Sequence, residues 1–223
     1  QTHALRGTSP AIDAGDRDRA PEFDQRGEVR SLDNPVDIGA FESQRSYSVQ
    51  LPAGGGQYQV LGDSGDVVVR SLGGVELFRF EYAALNELIV VGSDGVDIVT
   101  VDLGTANAVP PEGVQFLGTV GGGDSLIVEG GSATAVGYSL SEPGFGSITS
   151  SIAKVSYENV ASVLDTVTAA ARSVEFGFLA DVVTVGPGSV AEQTRLNHGA
   201  AMLDFVSPTA SLSVGLGQGF DSL

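Results

Sequence analysis

The side chains best equipped for chemistry in this chain are its carboxylates, and two groups of them stand out. The first is Asp13, Asp16, Asp24 and Asp37, interleaved with Arg26 and Arg30 in the opening 45 residues. Two such acids facing across a sugar could supply the acid and the nucleophile or base of glycoside cleavage. The spacing selects no pair, however, and Asp is common wherever a backbone turns because its side chain bonds nearby amides. The second group is Asp94, Asp97 and Asp124, with Asp66 earlier in the same series. Carboxylates from successive turns, joined by turn carbonyls, are the hard oxygen ligands that calcium prefers. Without a metal, each of these acids would simply close the turn before a strand.

Other chemistries lack their residues. There is no cysteine, which excludes thiol catalysis and a disulfide framework. His3 and His198 are the only histidines and have no partner at a metal-ligand spacing. No G-x-S-x-G elbow is present. Gly54-Gly55-Gly56 and Gly121-Gly122-Gly123 lack the Lys-Ser/Thr of a phosphate loop, so they read as turns. The net charge of −17 argues against nucleic acid, which needs clustered Lys and Arg to displace counterions. Six of the 11 basic residues lie in the first 45, leaving five among residues 46–223 against 19 acids. That part should repel nucleic acid and anionic lipid, and divalent cations are its natural counter-charge. No run of about 18 apolar residues could cross a bilayer as a helix, so no membrane insertion is expected.

The elements that must carry these residues are short strands. Before Arg45 the chain is irregular, charged and rich in turn residues. After it, apolar runs recur: Tyr47–Leu51, Tyr58–Leu61, Val67–Arg70, Glu76–Tyr82, Glu87–Val91, Ile98–Leu103, Val114–Leu117, Leu126–Glu129 and Thr134–Leu140. Most are β-branched and are separated by Gly, Asp, Asn, Ser or Pro, which predicts strands and turns. Strict alternation in Val99-Thr100-Val101-Asp102 predicts one buried face, whereas continuous Leu88–Val91 predicts two. Glu158–Arg172 is read as two strands despite its alanines, because its valines disfavour helix.

Residues 8–42, TSPAIDAGDRDRAPEFDQRGEVRSLDNPVDIGAFE, carry a more specific signal in their order. The blocks Ser9-Pro10-Ala11-Ile12-Asp13-Ala14-Gly15-Asp16, Asp24-Gln25-Arg26-Gly27 and Asp37-Ile38-Gly39-Ala40-Phe41-Glu42 follow one another. This stretch resembles the closing segment of the right-handed parallel β-helix in bacterial surface proteins of the choice-of-anchor Q type. The resemblance implies a location outside the cell and a structural cap in which Asp13, Asp16, Asp24, Arg26, Arg30 and Asp37 stitch turns together. It makes Ile12, Ile38 and Phe41 inward plugs, and implies no reaction. Separately, Gly92-Ser93-Asp94-Gly95-Val96-Asp97-Ile98-Val99 resembles one RTX nonapeptide, with Ser93 in place of the second glycine. RTX acids recur about every nine residues, whereas Asp66, Asp97 and Asp124 are spaced as the rungs of a larger solenoid.

An internal repeat organises the rest. Asp97-Ile98-Val99-Thr100-Val101 recurs as Asp181-Val182-Val183-Thr184-Val185, and Gly118-x3-Gly122-x-Asp124-Ser125-Leu126 recurs as Gly215-x3-Gly219-x-Asp221-Ser222-Leu223. The offsets are 84 and 97 residues, so the second copy holds about 13 extra residues between the landmarks. The expected organisation is a cap at residues 1–45, a β module at 46–149 and a second at 150–223. The expected fold is all-β, a solenoid of stacked short strands, with β-sandwich modules as the alternative. Leu223 falls where the first copy continues into a strand. A fragment of a larger surface protein would explain this, and so would a strand supplied by a neighbouring copy.

The function expected from the sequence is an extracellular structural or adhesive component with no enzymatic role. Its expected partners are further copies, the rest of a larger surface protein, or a glycan or cell-surface ligand. The alternative is a fragment of a polysaccharide-active β-helix enzyme or its carbohydrate-binding module. No cofactor is required by the residues, and calcium is the one ion they suggest.

Overall fold

A computed structural model describes residues 11, 14–16, 19–21, 23–25, 30, 36–40, 45–82, 85–177 and 182–217. The chain divides into two compact units, Gln1–Arg45 and Ser46–Leu223.

In the first unit, the described residues form short irregular segments rather than regular strands. Gly15 bridges Val36, with the Gly15 amide donating to the Val36 carbonyl at 2.6 Å. A Cβ on Gly15 would lie 2.7 Å from that oxygen, so this crossing admits only glycine. Ile38 N–H donates to Ala11 at 2.8 Å and Gln25 N–H to Ala40 at 2.9 Å. Among the described residues of this unit Val36 is the buried apolar one, while Ile38 is 56 % exposed. This corrects the expectation that Ile38 plugs the interior; the residue that crosses Gly15 fills that role. Ile12 and Phe41 lie outside the described residues.

The second unit is all-β, and alternation explains its strands. Along β6 (Asp97–Asp102) every other residue is buried, which fixes one face inward. In β5 (Leu85–Val91) Leu88 and Val90 are buried while Ile89 and Val91 are half-buried, so this strand too has one core face rather than two. The chain starts with β1 (Arg45–Gln50) and crosses to β2 (Gly56–Asp63), which turns back through β3 (Asp66–Ser71) and β4 (Glu76–Glu81). After β5 and β6 come β7 (Gly113–Leu117) and β8 (Ser125–Glu129). A meander of β9 (Ser132–Glu142), β10 (Phe145–Ser150) and β11 (Lys154–Glu158) follows. Then come β12 (Ser162–Asp165), β13 (Thr168–Phe176), β14 (Val183–Pro187), β15 (Gln193–His198), β16 (Ala201–Val206) and β17 (Ser211–Gly215). The two strands β12 and β13 stand where the alanines of Glu158–Arg172 could have suggested a helix.

These strands form two sheets that the chain visits in alternation. One has the order β1-β5-β7-β11-β10-β9-β13-β17, the other β14-β15-β16-β12-β8-β6-β2-β3-β4. In the second, β2, β6, β8, β12 and β16 pair in parallel, one strand per turn of a β-solenoid-like coil of about four turns. Inward residues align in columns: Val60, Val101 and Val128 occupy successive turns and are at most 1 % exposed. Val90, Phe116 and Tyr157 form a corresponding column in the other sheet. Burying such columns on both faces of a dry interior is what holds a stack of short strands together. The plain turn from Asp97 to Asp124 takes 27 residues, and the next, from Ser125 to Ser162, takes 37 because it contains β9 and β10.

The antiparallel excursions have local causes. Ser64 and Gly65 both have positive φ (57° and 96°), the geometry of a two-residue hairpin between β2 and β3. Residue 150, where the second repeat was expected to begin, lies in the β10–β11 hairpin, where Ile148 pairs Val155. Both copies of the repeat therefore share one core. The first Asp-x-Val-Thr-Val forms β6 in mid-sheet, and Val183-Thr184-Val185 of the second forms β14 at the sheet's end. The 13 extra residues correspond to the β15–β16 hairpin, which separates β14 from β17.

Close backbone approach sets one strong requirement. A Cβ on Gly62 of β2 would fall 1.5 Å from the Ala106 carbonyl, and the Gly62 amide donates to Thr105 Oγ1 at 2.8 Å. Gly62→Ala must push the 103–112 loop off the sheet. The expected loss is about 1–3 kcal/mol, read as a lowered denaturation midpoint. An unchanged midpoint would mean that the loop does not lie against β2.

Candidate interaction site at the ends of the coil

The acids proposed as calcium ligands lie along one corner of the coil, where the chain enters the nine-strand sheet. Asp124 is fully buried. Its Oδ1 accepts the Asp97 amide at 2.7 Å, and its Oδ2 accepts the Thr119 amide at 2.7 Å and the Thr119 hydroxyl at 3.1 Å. Asp97, also fully buried, uses Oδ2 to accept the Ser93 amide at 2.5 Å and the Ser93 hydroxyl at 2.9 Å. Asp94 Oδ1 accepts the Gly54 amide at 2.8 Å from the preceding turn. Each acid thus satisfies backbone donors that a tight corner would otherwise strand. Asp97 Oδ1 is buried without a hydrogen-bond partner. Among the described residues no group of three His, Cys, Asp or Glu side chains is disposed to hold a metal.

The repeated glycines have a reason in the same place. A Cβ on Gly118 would stand 2.8 Å from Asp124 Oδ2, and one on Gly122 would stand 3.0 Å from it. The pattern Gly-x3-Gly-x-Asp is therefore a carboxylate seated in a backbone cradle. Gly219 and Asp221 of the second copy lie outside the described residues.

In the first unit, Asp24, Arg30 and Asp37 are buried. Arg30 donates to the carbonyl of Asp37 at 3.2 Å and to that of Gly39 at 2.5 Å, binding the loop through backbone oxygens. Asp16 pairs with Arg19 at 3.5 Å on the surface. Asp13 and Arg26 lie outside the described residues.

A buried ionic knot joins three strands without any sequence motif to mark it. Asp165, at the end of β12, takes the core position that Val128 and Phe205 hold on neighbouring turns. Its Oδ2 receives Arg172 Nη1 at 2.6 Å and the Tyr138 hydroxyl at 2.6 Å, while Oδ1 accepts the Val167 amide at 2.8 Å. Arg172 also donates to the Tyr138 oxygen and to the Val167 carbonyl. Its guanidinium lies 5.1 Å from the Phe205 ring centroid, and both charged side chains are wholly buried.

Burial raises the pKa of Tyr138, with the Asp165 charge adding to the shift; it also raises those of Tyr157 and Tyr58. The fold therefore favours neutral tyrosine, and this stability is complete below the unfolded value of 10.0. It is lost as pH rises above that value, because the unfolded chain then ionises first. Stability should start to fall as pH rises above 10, and the unfolding that follows at higher pH should bring an abrupt, cooperative rise in tyrosinate absorbance. A gradual titration without loss of β signal would contradict this burial.

The ends of the two sheets differ from one another. At one end, β4 carries Glu76, Arg79 and Glu81, and Arg79 contacts Asp63 at 2.7 Å, Asp66 at 3.0 Å and Glu76 at 2.7 Å. Charges on a terminal strand discourage unplanned pairing. Inward Phe78 and Phe80 are half-buried, and Phe80 packs against Tyr47 of β1 with centroids 4.9 Å apart and the rings tilted by 32°. At the other end, β14 (Val-Thr-Val-Gly-Pro) and β17 (Ser-Leu-Ser-Val-Gly) hold no charged residue. Val185 faces the core column of Leu196 and Leu203 yet is 44 % exposed, and Leu212 and Val214 are half-buried.

No family model, curated protein or solved structure matches this chain. What can be said of its function rests on its own residues.

Proposed function

We propose that this protein is an extracellular structural or adhesive surface component, the repeating subunit of a head-to-tail fibre assembled by β-strand addition. The observation that carries this reading is that both sheets are open. Among the described residues, β1, β17, β4 and β14 each pair on one side only. A terminal strand with a free row of amides and carbonyls is a template for another strand. The order of the motifs in residues 8–42 supports assigning the first unit to the choice-of-anchor Q type and the protein to the cell surface. The proposal assigns it no catalytic step, and the buried acids described above are engaged in holding backbone.

Calcium belongs to the proposal as a stabiliser of the corner, with Asp97 Oδ1 as the carboxylate oxygen that carries no hydrogen bond. A rise in melting temperature on adding calcium, abolished by Asp97→Asn, would support this. A melt indifferent to calcium and chelator would remove it.

Sedimentation velocity across protein concentration tests the fibre. At a net charge of −17 the copies repel one another, and about 0.15 M salt screens charges beyond roughly 8 Å. Assembly should therefore grow with concentration and with salt. A single monomeric boundary under all conditions would defeat the proposal.

A further inference from the structure

The terminal strands at the two ends of the coil run in matching directions in both sheets. In the nine-strand sheet, β14 is antiparallel to β15 and β15 to β16; β16 is parallel through β12, β8 and β6 to β2, which is followed by antiparallel β3 and β4. Two reversals at each end cancel, so β14 and β4 point the same way. In the eight-strand sheet, β17, β13 and β9 are parallel, β10 and β11 restore the direction, and β7 and β5 continue it. On β1, Ser46 Oγ bonds Glu87 and the Leu51 amide bonds the Val91 carbonyl, so β1 runs with β5. Hence β17 and β1 also point the same way.

We propose that a second copy of this chain stacks end-on, its β4 along β14 and its β1 along β17, both in parallel, which extends both sheets across the junction. This deepens the fibre proposed above and rests on it. Direction is matched in both sheets at once, the condition for translating one copy along the coil axis onto the next. Chemistry is matched as well. The aromatic end, Tyr47, Phe78 and Phe80, meets the aliphatic end, Val185, Leu212 and Val214, so partly wet core on each side becomes dry. The charged β4 strand meets β14, which has no charge to oppose it. The nine-strand sheet is taller by one strand, a step of about 4.8 Å, so the stacked copy must tilt toward the eight-strand sheet.

The chain has no cysteine, which makes a cross-linking test direct. Full-length chains bearing Thr184→Cys on β14 are mixed with chains bearing Glu76→Cys on β4 and treated with a short bismaleimide. Both residues are exposed. The expected product joins the two different variants. A product joining Thr184→Cys to itself would mean a two-fold dimer and overturn the proposal. Oligomers in sedimentation without the mixed product would overturn this junction and leave the fibre standing. If only monomer sediments, both fail. As a second variant, Val185→Asp puts a charge on the open end of the core and should weaken association by about tenfold or more. Its melting temperature reports folding separately. Unaltered association by a folded Val185→Asp chain would also overturn the junction.

Discussion

Asp165→Ala is expected to destabilise the protein by about 3–5 kcal/mol, because it leaves the Arg172 charge buried without its counter-ion. Against a total stability of roughly 5–15 kcal/mol for a typical domain, that is enough to unfold much of the population near physiological temperature. Arg172 packs beside the stacked rings of Tyr138 and Phe205, and its side chain is wholly buried, so bulk solvent does not reach it to replace the carboxylate. Replacing the whole knot, with Asp165→Leu, Arg172→Met and Tyr138→Phe together, should cost far less, since well-packed apolar residues can match a buried ion pair. Denaturant titration of the two variants decides the matter. Near-equal midpoints for the single and the triple would mean that the pair does not act as a buried unit. The knot sits where β13 returns to the sheet beside β9, so it also discriminates against register shifts there, which a column of valines would tolerate.

The second large effect is expected at Asp124. Alanine there strands the buried amide of Asp97, at about 1–3 kcal/mol, and also removes the acceptor of the half-buried Thr119 amide. The two adjoining turns of the coil lose their common fastening. Asp124→Asn should recover part of the loss, since the amide oxygen can still accept one of these bonds. A variant Asp124→Ala that melts within a degree or two of the parent would mean that this corner is held by something else, and calcium would be the first candidate.

Much of this fold was legible in the sequence, for identifiable reasons. Alternation in Val99-Thr100-Val101-Asp102 gave one buried face, and valines outweighed alanines between Ser162 and Phe176, so both segments are strands. The turn acids Asp97 and Asp124 were visible because Asp before a strand has a local job. The antiparallel meanders were not, because β9, β10 and β11 carry the same short apolar runs as the parallel turns. Pairing direction is decided by what each strand meets in space, not by its own residues. The Asp165–Arg172 knot was equally hidden. Nothing in Leu164-Asp165-Thr166 differs from any acid that closes a strand, and its partner Tyr138 comes from another turn. Ile38 illustrates the reverse error, an apolar residue whose type suggests burial while its neighbours Val36 and Asp37 occupy the interior.

The central claim is that copies of this coil continue one another, and electron microscopy of the full-length protein tests it most directly. Eight and nine strands at about 4.8 Å per strand give roughly 40 Å of axial rise from residues 45–217. Filaments whose repeat contains that rise, and which shorten or vanish with Val185→Asp, are the predicted result. Isolated particles at every concentration and salt would contradict it.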